Sequence, residues 1–434
     1  MKPPSNAATN GWYNVLPDPP PARRPEGSVR VPWAVVGAGF TGLAAARRLA
    51  EHYPDQPIAL IEAERVGFGT SGRNSGFVLD FHFMPYQLPF PDQALAEARK
   101  RLSSGGLAIL CDLVQANQIA CQWRQWGKLW VAAGSAGEKG LDEQRRGNDS
   151  LGASHTDLDA GEIARITGSG FYTGGVKVEG TALVNPAALC RGLVQTLPGN
   201  VTVYEDSPVL RHRRGRPHRL ETANGEVVTD QVLLCTNVFS PSLCVGGSAM
   251  VALSIFASIT RPMTDEEKSA MGGDGSHFGL LPSCMGGSTL QHTPDGRIVM
   301  RNSGYYGPGG TSDTAFMEHV RRIHAESIAK RWPQLAELDI EHTWGGCVAI
   351  TRNEGHIFGR LGDGMWGSIG CNGAGVSNGT MAGTLLADHI AGQDSDLLSD
   401  QMRIPAPAWI PPEPIRGFIG RRRIRRNTVD TTER

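Results

Sequence analysis

The chain has 434 residues, 40% hydrophobic and 20% charged, with a formal net charge of −1. That length supports two domains with cores of their own, and the composition is that of a soluble globular protein. The balanced charge excludes a global field that would select nucleic acid or an acidic partner.

Residues 1–31 are rich in Pro, Asn and Arg and read as a surface or partly disordered tail, with Trp12 and Tyr13 as pins. Trp33-Ala34-Val35-Val36 is a short apolar run, expected as a buried parallel strand. Gly37, Gly39 and Gly42 follow with G-x-G-x-x-G spacing around Ala38, Phe40 and Thr41, and then comes an Ala/Leu-rich helix pattern. A second apolar run, Ile58 to Ile61, ends in Glu62. Each part has a physical task. Gly37 permits a tight turn, Gly39 lets backbone approach a pyrophosphate, and Gly42 lets the helix pack on the strand. The helix N-terminus offers N–H groups and positive dipole to phosphates, and Glu62 offers a carboxylate to ribose hydroxyls. Glycines at this spacing are often an ordinary turn. Strand, helix, second strand and acid in register make them a dinucleotide site, without choosing FAD over NAD.

The loop after Glu62 makes that choice. Ala63 to Gly76 is glycine-rich and carries Thr70, Ser71, Gly72, Arg73, Asn74 and Ser75. It resembles the G-x-S-G-R-N-x-G stretch of the D-amino-acid oxidase (DAO) superfamily, in the branch of γ-glutamylputrescine oxidase-like flavoproteins. The resemblance implies that Ala63 and residues 70–75 wrap FAD and pass by its isoalloxazine ring.

Residues 94–118 show a helical pattern with Gly105-Gly106 as a weak point. Cys121 to Ala132 resembles a family stretch that ends in a strand, which implies a structural role for Cys121. Residues 134–157 are polar and Gly-rich and are expected as a surface loop or helix connection. Asn185-Pro186 is a helix start, with Asn as cap and Pro in the first turn. Val201 to Glu205 reads as a strand, and the resemblance places Val209 at the adenine end of FAD. Leu220 to Val228 is a hairpin with an Asn-Gly turn. Gln231 to Cys235 is a buried strand running into Thr236, implied by the resemblance to lie against the cofactor sheet. Val251–Thr260 and Ile298–Met300 read as strands, and Phe316 to Trp332 as a helix stopped before Pro333. Trp344 to Arg352 is strand-like and resembles a W-G-G stretch of the family. Met365 to Gly370 leads into Asn372, Gly373, Ala374, Gly375 and Val376, which resemble the closing G-x-x-G-x-G-V motif, with a helix pattern to Ile390.

The resemblance covers about residues 12 to 415. It implies an α/β (α+β overall) fold, a Rossmann-type FAD-binding domain of the glutathione-reductase/DAO type with an inserted antiparallel-sheet substrate domain. The expected division gives the cofactor domain residues 32–85, 151–240 and 341–400. Residues 86–150 and 241–340 form the substrate domain, and 401–434 are a C-terminal tail.

The implied activity is oxidation of a small amine, amino acid, N-substituted amino acid or polyamine derivative. A hydride passes from the carbon bearing nitrogen to flavin N5, the imine hydrolyses, and O2 takes the electrons to give H2O2. Gly370 and residues 372–376, at a helix N-terminus, are expected to stabilise the negative charge of reduction. Arg352 is the first candidate for the substrate, as a carboxylate clamp, set against an ordinary surface salt-bridge arginine. His82 and Tyr86 are candidates for the same cavity. Two departures stand out. Thr289-Leu290-Gln291-His292-Thr293 replaces an aromatic–x–Arg pair of the family. No Lys lies between Ser240 and Glu267, where some members use one toward oxygen, so a dehydrogenase feeding a quinone or carrier protein is an alternative. Covalent FAD attachment at Cys347 is weighed against a buried small hydrophobe, which is preferred.

Arg421-Arg422-Arg423 and Arg425-Arg426 mark the C-terminal tail. A solvated helix end is preferred over a nucleic-acid or membrane-surface patch, so the expected partners are a small-molecule amine and O2, with no nucleic acid and no membrane, and an RNA-related role is the remaining alternative. The eight scattered cysteines contain no C-x-x-C, so no zinc ribbon or other metal site is expected. No secretory signal or long apolar run is present, and a cytoplasmic location is expected.

Overall fold

The computed structural model describes residues 9–81, 83, 90, 92–284, 286–307 and 314–427, excepting the side chains of 303 and 423–427. Two eight-stranded sheets organise them. In the first sheet, Met365–Ile369, Gly225–Leu234, Gly27–Val36, Ile58–Ile61 and Val201–Tyr204 lie side by side and parallel. Alternation along these strands makes two cores. Val35, Leu60 and Leu233 face a layer of helices, while Val36, Ile61 and Leu234 face Met250, Ala252, Cys347 and Ala349 of the second sheet.

The helix layer is Phe40–His52, Gln93–Ala116, Pro186–Gln195 and the closing helix Ser377–Ile390. Asn185 caps its helix as expected, accepting from the Ala188 N–H at 3.0 Å, with Pro186 in the first turn. Gly105-Gly106 does not interrupt the Gln93–Ala116 helix. A methyl on Gly106 would stand 2.0 Å from Ser377 O, and one on Gly105 2.4 Å from Met381 Cε. The supposed weak point is where the closing helix is seated.

The second sheet runs Ile340–Thr351, Met250–Thr260, Ile298–Tyr306, Thr289–His292, Gly279–Pro282, Lys128–Ala132, Gly174–Val178 and His155–Asp159. All neighbours in it are antiparallel except Gly279–Pro282 against Lys128–Ala132. Three of its strands, at 155–159, 174–178 and 340–351, come from stretches expected in the cofactor domain. A W-G-G strand can serve the cofactor from a neighbouring sheet, so the motif does not say which sheet holds it.

Two further expectations differ from the structure. Residues Ser135–Ser150 are a helix, not a loop. Its buried face is built on Gly137, Gly140 and Gly147, and methyls on the last two would stand 2.1 Å from Ser283 O and from the Phe83 ring. A glycine face carries no apolar periodicity, so the sequence pattern hides it. The N-terminal stretch is likewise partly core. Gly11–Asn14 is a helical turn, Trp12 is 1% exposed, and a methyl on Gly11 would stand 2.4 Å from the Trp344 ring.

Candidate functional site

The first strand ends at Gly37, whose φ of 98° suits glycine alone. A methyl on Gly42 would stand 1.8 Å from Gly37 O, so the Phe40–His52 helix begins in backbone contact with the strand end. Gly39 is the N-cap and provides no side-chain bond. Glu62 closes the turn from the second strand. It accepts from the Ala38 N–H at 2.8 Å and the Glu64 N–H at 3.2 Å. Burial pushes the Glu62 carboxyl up from its usual range, and these backbone donors oppose the shift.

The loop after Glu62 repeats this geometry. Gly67, Gly69 and Gly72 have the spacing of Gly37, Gly39 and Gly42. Gly67 has φ 83°, and a methyl on Gly72 would stand 1.7 Å from Gly67 O. Thr70–Gly72 is the single helical turn that follows. The two turns touch, since Ser71 Oγ accepts from the Phe40 N–H at 3.3 Å. This duplicate spacing is open in the sequence, with Ser71 inside it and Arg73 and Asn74 directly after it.

Arg73 and Asn74 hold the loop. Arg73 is 7% exposed and donates to Phe68 O, Thr9 O and Gly345 O at 2.8, 2.8 and 2.9 Å. Burial lowers its pKa to about 10. Asn74 donates to Ser71 O at 2.6 Å and accepts from the Gly76 N–H at 2.8 Å. Trp12 and Trp344 donate to the carbonyls of Asn74 and Arg73 at 2.8 and 3.1 Å. Ser75 continues the loop, half-buried, and Ala63 and Thr70 flank it.

The third part is the turn into the closing helix. Gly370 has φ 106°, Asn372 50° and Gly373 91°. Asn372 Oδ1 accepts from the Thr351 N–H at 2.8 Å and its hydroxyl at 3.0 Å, while Nδ2 donates to Gly370 O at 2.9 Å. Asn237 Oδ1 accepts from the Gly370 N–H at 3.0 Å. Ala374 and Gly375 lead to Val376, the N-cap, which has no side-chain capping bond. The closing helix lies on the first helix, since a methyl on Gly383 would stand 2.1 Å from Thr41 O. Both helix N-termini therefore sit at the end of the parallel sheet where its strands finish, the end at which open α/β sheets bind ligands.

Asn372 thus ties this turn to Thr351, and Arg352 follows at once, exposed in a turn. His82 and Tyr86 lie outside the described residues. Val209 packs partly buried on the second core, two residues after Ser207, whose N–H donates to Glu62 O at 2.9 Å. Thr236 caps the turn holding Asn237, and its hydroxyl bonds Ser240 Oγ at 2.8 Å. Cys347 is 1% exposed within the second core.

Pattern reading missed several residues. Asn237 and Thr351 lie in stretches that resemble the family's, beside Thr236 and Arg352, but the pattern does not give the bonds they make. Gln291, in the altered 289–293 stretch, is buried and donates to Gly76 O at 3.2 Å and Val184 O at 3.4 Å. Lys128 is buried against Asp80, donating at 2.7 Å, and to Phe81 O at 2.8 Å. Both join the second sheet to the end of the cofactor loop.

The sequence pattern of the DAO family, described as FAD dependent oxidoreductase, matches residues 32–389. The chain belongs to the DAO family of FAD-dependent oxidoreductases. It is 28% identical over 389 residues to gamma-glutamylputrescine oxidoreductase of Escherichia coli (strain K12), covering 88% of this chain and 87% of that one. The fold is similar to glycine oxidase from Geobacillus kaustophilus, with TM-score 0.68 and 15% identity over 85% of this chain and 96% of that one. It is also similar to L-proline dehydrogenase from P. horikoshii, with TM-score 0.64 and 18% identity over 86% of this chain and 96% of that one. The geometry of this DAO-family enzyme fits FAD. Gly39 and Gly69 cap their turns without side chains; the space beside Gly69 is open to a close-lying cofactor, while a methyl on Gly39 would stand 2.5 Å from Ser71 Oγ. Among the described residues no His, Cys, Asp or Glu group is arranged to hold a metal, and no helix is long and apolar enough to cross a membrane.

Proposed function

We propose that this enzyme is an FAD-dependent oxidase of a small amine, amino acid, or N-substituted amino acid or polyamine derivative, working in the cytoplasm. One observation carries the reading. Two glycine turns and the uncapped N-terminus of the closing helix share one end of the parallel sheet, beside the strand end that carries Arg352. The amine class is supported by the identity to gamma-glutamylputrescine oxidoreductase. The cytoplasmic placing is supported by eight free cysteines.

In this reading Gly37, Gly39, Phe40, Thr41 and Gly42 receive the pyrophosphate and Glu62 the ribose. Residues 70–75 line the path to the ring, Val209 flanks the adenine side, and Thr236 stands beside the Gly37 turn. Bound FAD supplies the acceptor for a hydride from the carbon bearing nitrogen. The N-terminus of the closing helix stabilises the negative charge that reduction brings, with residues 370–376 as its lining. Arg352 receives a substrate carboxylate through paired N–H donors. The substrate amine reacts in its neutral form, so no acid–base pair is needed beside it. The imine is released and hydrolysed, and O2 is reduced to H2O2.

A second reading rests on the missing lysine. Lys268 is paired with Asp265 at 2.9 Å and its side chain is 48% exposed, on the helix Asp265–Met271. That position favours electron delivery to a quinone or carrier protein. Peroxide measured during turnover in air decides between them. One H2O2 per amine oxidised is the result expected of an oxidase, and rapid reduction of a quinone dye without peroxide overturns it.

A further inference from the structure

The first turns of the C-terminal helix Ile415–Asn427 carry an apolar strip outward. Their inner face is made of glycine. Gly417 is buried beside Glu413 and Arg421, and a methyl on Gly420 would stand 2.3 Å from the Tyr306 ring. Arg416 fastens this face, donating to Gly247 O at 3.0 Å, and Arg421 lies over the Tyr306 ring at 5.8 Å. The outer face carries Ile415, Phe418 and Ile419, exposed by 56%, 64% and 52%. Positions three and four apart share one side of a helix, so these three form a continuous apolar strip. Trp409, 63% exposed, stands just before the helix. A sequence that buries glycines and exposes Phe and Ile is built to meet something apolar.

Charge identifies the partner. Residues 415–434 hold seven arginines and two acids, a net +5, on a chain whose total is −1, so the remainder is −6. We propose that this helix seats the enzyme on the surface of an anionic lipid bilayer. Phe418, Ile419 and Ile415 enter the boundary between headgroups and acyl chains, and the arginines meet the anionic headgroups. Thirteen residues span only about 20 Å as a helix, too short to cross a bilayer. Nucleic acid would engage the arginines but leave the apolar strip in water. A two-fold pair of these helices would set +5 against +5.

The test is co-sedimentation of the full FAD-loaded chain with vesicles of phosphatidylcholine alone and of phosphatidylcholine mixed with phosphatidylglycerol. Sedimentation with the mixed vesicles, weakening as salt rises, is expected. F418S with I419S should weaken it by about tenfold or more while the flavin absorbance of the protein is retained. R421E with R422E should abolish it. The proposal is overturned if the mixed vesicles do not bring the protein down, or if F418S with I419S sediments as the parent does. It is also overturned if the serine pair instead dissolves a dimer, or if only RNA retains the tail.

Discussion

Two glycines, Gly42 in the G-x-G-x-x-G motif and Gly72 in the loop after Glu62, carry the same steric demand. A methyl on Gly42 or on Gly72 stands under 2 Å from a backbone carbonyl, 1.8 Å and 1.7 Å respectively, and no flexible side chain can yield. Gly42→Ala and Gly72→Ala should each cost about 2–3 kcal/mol and lower the flavin-to-protein ratio. Thermal unfolding and flavin content would show it, and a Gly72→Ala protein as stable and as yellow as the parent would contradict the pairing of the turns. Arg352 is exposed and free to be tested directly. Arg352→Gln should raise KM for a carboxylate-bearing amine by about 10- to 100-fold, the worth of a hydrogen-bonded charge, with kcat little changed. An amine without a carboxylate should be indifferent. Equal effects on both substrates would remove the arginine from the binding site.

At the scale of elements, the helix Gln93–Ala116 sets the closing helix by contact at Gly105-Gly106. Gly106→Ala improves helix propensity by about 1 kcal/mol, but its methyl would meet Ser377 O at 2.0 Å. The contact should win. Lower flavin retention and slower flavin reduction by substrate are expected in stopped-flow measurements, and a variant that only gains helix stability would contradict it. The same glycines show what was legible in the sequence. Ile58–Ile61 and the buried end of Gly27–Val36 announce themselves by apolar runs, and the Asn185-Pro186 start by its capping chemistry, whereas the exposed half of Gly27–Val36 falls in the stretch expected as tail. Helix faces built from glycine, as in Ser135–Ser150, leave no periodic trace. The backbone cradle of the cofactor could be read because glycine spacing dictates it. The bonds that Asn237, Thr351 and Gln291 make could not, because they join elements far apart in sequence that meet only in the fold.

At the scale of the whole molecule, a buried polar chain joins the helix Thr314–Arg331 to the second sheet. His324 is fully buried, bonded at Nδ1 to Ser258 Oγ at 2.7 Å and at Nε2 to Asn302 Oδ1 at 2.8 Å. Asn302 Oδ1 only accepts, so Nε2 carries the proton and Nδ1 accepts from Ser258. Burial lowers the pKa of His324 from 6.5 to about 3, with Arg301 adding to the shift. A histidine lowered on folding contributes stability that is complete above the unfolded pKa and is lost as pH falls below it. His324 should therefore account for about 2 kcal/mol lost between about pH 7 and about pH 5. Denaturant midpoints at the two pH values, for the parent and for His324→Gln, would measure it. An equal acid sensitivity in both would contradict the assignment.

The assembly of two glycine turns, a tethered Asn372 turn and an open closing helix is claimed to position FAD for oxidation of an amine. The most direct test is to add candidate amines, N-substituted amino acids and polyamine derivatives to the FAD-loaded protein without oxygen and follow the visible flavin band. Rapid bleaching by at least one amine, restored when air is admitted, is the predicted result. A protein whose flavin band survives every amine but bleaches with a hydroxy acid or polyol would contradict the account.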